Sequence, residues 1–168
     1  KEIIQIDGIQ IKTNLSPEEK KTVNELIRSF GADEGSYCLD IKKNSKLEYD
    51  YQLETRAGSA SLEAGTFKGI VWGLHTLRQM LSNQDGLELP LIKIIDSCAL
   101  EYRGLMIDLA RHFHGPKQIK KIVESMSSYK MNKLQLGISN DEGWRLQILS
   151  IPELTNIGSI RSHQQFNK

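Results

Sequence analysis

The sequence predicts an α+β protein. Residues 1–96 read as a sandwich of two helices on one face of a mostly antiparallel sheet, and residues 97–168 as a strand, a helix and a second, parallel strand. Three observations carry this. "IIQIDGIQIK" and three later short runs alternate apolar and polar residues, the pattern of half-buried strands. "SPEEKKTVNELIRSF" and "TFKGIVWGLHTLRQML" repeat their apolar residues at helical spacing. Beyond Tyr102 the strand-like runs are apolar on both faces, as in a parallel sheet covered on each side.

Taken in order, "IIQIDGIQIK" is the opening strand. The first helix has Ser16 at its N-cap and Pro17 at its first helical position, with Val23, Leu26, Ile27 and Phe30 as one apolar stripe. Strands at 37–42, 51–55 and 59–63, separated by Gly, Asn and charged residues, suggest an antiparallel meander. In the second helix Phe67, Ile70, Val71, Leu74, Leu77 and Leu81 form the stripe, and the first four of these are expected to be buried against the sheet. Gly69 and Gly73, four apart, offer a small-residue track for close packing. A final strand at 89–95 leads out. In the second part "GLMIDLA" is a strand, Pro116 opens a helix with Ile119, Ile122, Val123 and Met126 on one side, and "KLQLGIS" is the parallel partner strand. From Asn140 to Ser159 the reading is a loop, followed by a polar end.

Composition excludes several classes. A chain of 168 residues, 39% apolar and 26% charged, is globular in type. Its 22 basic and 21 acidic residues leave a formal charge of +1 with no long block of either sign, so nothing points to nucleic acid or an anionic membrane. The expected partner is neutral or small. No apolar run approaches the roughly 20 residues of a membrane span, and no signal-type stretch opens the chain as given. Cys38 and Cys98 lack metal-type spacing and read as buried free thiols.

The stretch "YRGLMIDLARHFHGPKQIKKIVESMSSYKMNKLQLGISNDEGWRLQI", followed by "PELTNIGS", resembles the first two βα units of the barrel of glycoside hydrolase family 20, the β-N-acetylhexosaminidases. The shared marks are Arg103-Gly104, Asp108, Arg111-His112, the run from Tyr129 to Asn132, and Gly143-Trp144-Arg145, in that order. "SASLEAGTFKGIVWGLHTLRQML" and "LPLIKIIDS" resemble the small α/β domain that precedes the barrel. The resemblance implies that the second part begins a (β/α)8 barrel. Far fewer residues follow Arg103 than the roughly 250 of a complete barrel, so the chain reads as an N-terminal fragment.

By that resemblance the parent removes terminal β-linked N-acetylglucosamine or N-acetylgalactosamine from glycans. The substrate's own acetamide is the nucleophile, and no cofactor or metal takes part. Such chemistry needs an acid for the leaving oxygen, a carboxylate to orient the acetamide, and donors for the sugar hydroxyls. In the family the acid and the orienting carboxylate form an Asp-Glu pair after the fourth barrel strand. This chain therefore holds no catalytic residue and is expected to be inactive alone. Asp141-Glu142 has the right residue types but follows the second strand, and reads as solvated turn carboxylates.

Arg111 matches the arginine that grips the terminal sugar, and a guanidinium suits that task by its several fixed donors. Its plainer reading is an arginine paired to a neighbouring carboxylate. Asp108 is expected to hold Arg111 in place. Asn140 stands where the family has the first Asp of an Asp-Asp pair that supports a later histidine, and Gln135 and Gly137 replace a His-x-His. These departures point to a divergent parent. His112 and His114 read as exposed loop histidines rather than metal ligands, and Trp144 as packing for its loop.

The expected partners are glycans containing N-acetylhexosamine. The open edge of the barrel start should also lead the isolated chain to self-associate. The resemblance is compatible with a periplasmic, secreted or lysosomal parent. The rival reading is a non-catalytic carbohydrate-binding or interaction module.

Overall fold

The computed structural model describes residues 2–32, 34–81 and 87–160. The polar end predicted for 161–168 lies outside the described residues. The chain forms two compact units, Lys1–Ala99 and Leu100–Lys168.

In the first unit the opening run divides into β1 (Ile3–Ile6) and β2 (Ile9–Thr13). The break falls at Asp7-Gly8. Gly8 has φ 142°, which side-chain-bearing residues rarely adopt, and the Asp7 carboxylate accepts the Ser36 backbone N–H at 2.8 Å and its hydroxyl at 3.0 Å. These hydrogen bonds hold the Asp7 carboxyl below its ordinary pKa.

Helix α1 (Pro17–Ser29) starts as its sequence dictates. The Ser16 hydroxyl accepts the Glu19 N–H, and the Glu19 carboxylate accepts the Ser16 N–H, a complete capping box. Val23, Ile27 and Phe30 are buried and Leu26 packs beside them.

The predicted antiparallel meander is not what forms. The strands β3 (Tyr37–Lys43), β4 (Tyr51–Thr55) and β5 (Ser59–Ala64) do not pair in chain order. With β7 (Lys93–Asp96) they make a mixed sheet in the order β2-β3-β5-β4-β7. The β2-β3 and β3-β5 pairs are parallel, and the β5-β4 and β4-β7 pairs antiparallel. The physical reason is the connection 44–50, which is long enough to step past one strand position. The tight β4-β5 hairpin then folds β5 back into the vacant place, where the Asn44 N–H donates to the Ala64 carbonyl.

Likewise the predicted strand 89–95 is two strands. β6 (Leu87–Pro90) pairs antiparallel with β1, while β7 joins the main sheet. The switch is fastened by Thr55, a buried hydroxyl that donates to the Pro90 carbonyl at 2.6 Å and accepts the Ile92 N–H at 2.8 Å.

Helix α2 (Phe67–Met80) is capped by Thr66 and buries Ile70, Leu74 and Leu77. Phe67 and Val71, expected inside, are only half-buried; Trp72 and His75 are buried instead. Gly69 and Gly73 are where the helix comes closest to the sheet. A Cβ on Gly69 would strike the Asp50 carbonyl, and one on Gly73 would strike a Leu62 methyl. Both helices bury their stripes in one cluster with the inward residues Leu39, Ile41, Tyr51, Leu53 and Leu62 of the sheet. At its edge the Tyr51 hydroxyl donates to Asp96 at 2.6 Å and lies 2.7 Å from the Thr76 hydroxyl. Cys38 and Cys98 are half-buried rather than buried, and neither is in a disulfide.

In the second unit β8 (Gly104–Asp108) and β9 (Lys133–Gly137) are parallel and joined by α3 (Pro116–Ser128). Met126 of the helix stripe is buried, Ile119 and Ile122 are half-buried, and Val123 is exposed. The segment read as a loop carries structure. β10 (Ser139–Asn140) and β11 (Gly143–Trp144) form a small hairpin, and α4 (Glu153–Asn156) follows.

Candidate functional site

Because β8 and β9 are parallel and paired Asp108 to Gly137, both present their C-terminal ends at one edge. In open and closed parallel sheets alike this is the edge where sites are built. Asp108 is the last residue of β8 and its carboxylate is the hub. It accepts the Arg111 backbone N–H at 3.0 Å, the Arg111 Nη1 at 3.1 Å, and the Asn140 Nδ2 at 3.3 and 3.2 Å to its two oxygens. Asp108 thus fixes Arg111 twice, at the backbone and at the tip.

The Arg111 side chain is 60% exposed and leans over the hairpin turn, with Nε 3.5 Å from Glu142 and Nη2 3.9 Å from Asp141. Contacts of that length in water contribute little, and it is Asp108 that orients the guanidinium. Arg111 is thus an exposed guanidinium ion-paired to Asp108 at the strand end.

Asp141 and Glu142 are the two turn residues between β10 and β11, with the Asp141 side chain 82% exposed. Asn140 organises the turn. Its Oδ1 accepts the Glu142 N–H at 2.8 Å while its Nδ2 faces Asp108, so one amide uses both of its ends.

Gln135 is exposed, and the Gly137 carbonyl accepts the N–H groups of Leu109 and Ala110. His112 and His114 have ring centroids 4.9 Å apart, and among the described residues no group of three His, Cys, Asp or Glu could hold a metal ion. Trp144 is half-buried. Its backbone N–H donates to Gly158 and its indole N–H to the Leu146 carbonyl, so it ties the hairpin to the segment after it.

One residue of this edge was named in the sequence only as part of a motif. Arg145 donates from Nε to the Leu109 carbonyl at 3.0 Å, from Nη2 to the Ala110 carbonyl at 3.0 Å, and from Nη1 to the Ser159 carbonyl at 2.7 Å. Its guanidinium also lies 5.7 Å from the Phe113 ring centroid. Gly143 is what lets it pass: a Cβ there would lie 2.9 Å from Arg145 Nη2 and 3.2 Å from the Ala110 carbonyl. The spacing Gly-x-Arg was the available signal, but its targets are backbone atoms, which carry no sequence mark.

The chain spans about a quarter or less of the length of the curated relatives it matches. It is 37% identical over 144 residues to a β-hexosaminidase of Vibrio furnissii, covering 84% of this chain and 24% of that protein. It is 35% identical over 111 residues to the N,N'-diacetylchitobiase of Vibrio harveyi, covering 66% of this chain and 13% of that one. Among solved structures, the exo-β-N-acetylglucosaminidase of Vibrio harveyi in complex with N-acetylglucosamine superposes with a TM-score of 0.79 at 32% identity, over 94% of this chain and 26% of the enzyme. The model of the second domain of glycosyl hydrolase family 20 matches residues 6–97, and that of its catalytic domain residues 100–168. With both models matched in order along the chain, the chain belongs to glycosyl hydrolase family 20.

Proposed function

We propose that residues 1–96 are the N-terminal α/β domain, and residues 97–168 the first two βα units of the catalytic barrel, of a β-N-acetylhexosaminidase. The longer protein hydrolyses terminal β-linked N-acetylglucosamine or N-acetylgalactosamine with retention, using the substrate acetamide as nucleophile. The observation that carries this reading is the arrangement of Asp108 and Arg111 at the C-terminal edge of two parallel strands. There Asp108 orients an exposed guanidinium, a group whose planar donors suit sugar hydroxyls. Arg111 grips the sugar, Asp108 holds Arg111, and Asn140 holds Asp108 against the turn.

The acid and the acetamide-orienting carboxylate belong, in this reading, to later parts of the barrel. Asp141 and Glu142 do not suit the task, since a group that delivers a proton to a glycosidic oxygen works from a sheltered site, and Asp141 stands in solvent. The test compares aryl N-acetyl-β-glucosaminide and galactosaminide hydrolysis by the full-length gene product and by residues 1–168. Release by the former and none above buffer by the latter is the expected result. Sugar binding without hydrolysis in the full-length protein would favour a carbohydrate-binding module, and hydrolysis by the short chain would place the acid among its own residues.

A further inference from the structure

We propose that Arg145 is a positioning residue for Arg111, acting through the backbone rather than on the ligand. This rests on the reading of Arg111 as the donor that grips the sugar. Leu109 and Ala110, the two residues between β8 and Arg111, are buried, and their carbonyls point to one guanidinium. A third donor of the same guanidinium takes the Ser159 carbonyl, and the Arg145 backbone N–H donates to Ile138 at 2.8 Å. Three segments are thereby clamped together: the exit of β8, the exit of β9 with its hairpin, and the turn after α4.

The clamp is directional. The planar fork presents its donors at fixed angles, so three carbonyls from two segments are set relative to one another, not merely attracted. Lysine, a single rotatable ammonium, could satisfy the charge but not the geometry. Arg111 hangs directly after the clamped pair and depends on it for where its backbone N–H meets Asp108. Gly143 supplies an independent sign that the fork must lie there, since any side chain at that position would displace it. The Arg145 guanidinium is spent on carbonyls and the Phe113 ring, which is why it acts on position only.

The experiment uses 15N-labelled residues 1–168 and reads two signals in Arg145→Lys and Arg145→Gln. The first is the Arg111 Nε–Hε resonance, expected to move toward that of a freely solvated arginine in both variants, as it should in Asp108→Asn. The second is amide exchange, expected to quicken about tenfold at Leu109, Ala110 and Trp144, the factor for losing hydrogen bonds from a charged donor, while Leu134 and Leu136 of β9 keep their protection. An Arg111 resonance unchanged in Arg145→Lys would overturn the proposal. So would loss of protection along all of β8 and β9, which would make Arg145 a residue of stability alone. Neither signal depends on sugar turnover, so failure of the enzymatic reading and failure of this one are distinguishable.

Discussion

The two units are built from similar material and end in different states. In Lys1–Ala99 a sheet with two helices on it encloses a cluster in which Val23, Leu39, Leu53, Leu62, Ile70 and Leu74 have no solvent exposure. In Leu100–Lys168 only Leu109, Ala110 and Met126 are buried among the described apolar residues. Leu105, Met106, Leu149, Ile157 and Ile160 stand open. Apolar content is not what separates them. A sheet covered on one face closes a core by itself, whereas a lone βαβ unit has two sheet faces and only one helix with which to cover them. What holds the second unit in shape is correspondingly polar: Asp108, Asn140 and Arg145 tie its loops through side-chain hydrogen bonds.

The largest expected effect tests this contrast directly. Leu62→Ala, at the centre of the first unit, should cost about 2–5 kcal/mol. Leu149→Ser, at a residue 86% exposed, should change stability by no more than about 0.5 kcal/mol. Trp72 lies in the first unit and Trp144 in the second, so denaturant titrations of Trp72→Phe and Trp144→Phe backgrounds report the units separately. Equal costs at both positions would break the comparison.

Next in size is association. Among the described residues β8 and β9 pair only with each other, and Leu105 and Met106 are exposed, so the chain should sediment as more than a monomer. Leu105→Lys with Met106→Lys should reduce this, and a monomer at every concentration would show that the open unit is tolerated.

A smaller effect is expected at Asn140. The sequence resemblance alone suggests that Asn140→Asp restores a family carboxylate and raises turnover in the longer protein by about tenfold. The structure adds a cost, because residue 140 lies 3.2 Å from an Asp108 oxygen and now donates to it. A second carboxylate there raises the pKa of one member of the pair. A raised folded pKa means stability lost as pH rises, so the hairpin of the variant should loosen at neutral pH, by about 1 kcal/mol, and recover in acid. Amide exchange at Glu142 across pH checks this, and an equally protected variant at neutral pH would restore the simpler expectation.

The smallest effect lies at the start of α1. Lys43, 2.7 Å away, and then the Ser16 hydrogen bonds hold the Glu19 carboxyl below its ordinary pKa. Stability from this group is fully present above the ordinary glutamate value and is lost as pH falls through the depressed one. Glu19→Gln should therefore flatten the acid limb of the Tm profile slightly, and identical acid limbs would remove Glu19 from the account.

How far the sequence could be read follows the range of each interaction. Ser16, Pro17 and Glu19 announce a helix start because the capping box is closed within four residues. Gly69 and Gly73 likewise marked the close face of α2. Strand order was illegible, since alternation in 37–64 states that each strand has an inside and an outside but not which neighbour it takes. At the site, Asp108 and Arg111 could be placed together because they are three apart on one strand exit. The Arg145 clamp spans more than thirty residues and ends on carbonyls, which every residue possesses.

The order β2-β3-β5-β4-β7 also has a consequence for time. During synthesis β4 emerges before β5, yet the position beside β3 belongs to β5. If β4 took it on arrival, the later strand would have no place of its own. The short turn between β4 and β5 resolves this, since closing a hairpin is far quicker than searching for a distant edge. The two strands can zip together first and dock onto β3 as a finished pair, with β5 leading. β7 then seals the far side beside β4, so the sheet fills outward from its first strand, and only within the hairpin does the docking order reverse the order of synthesis.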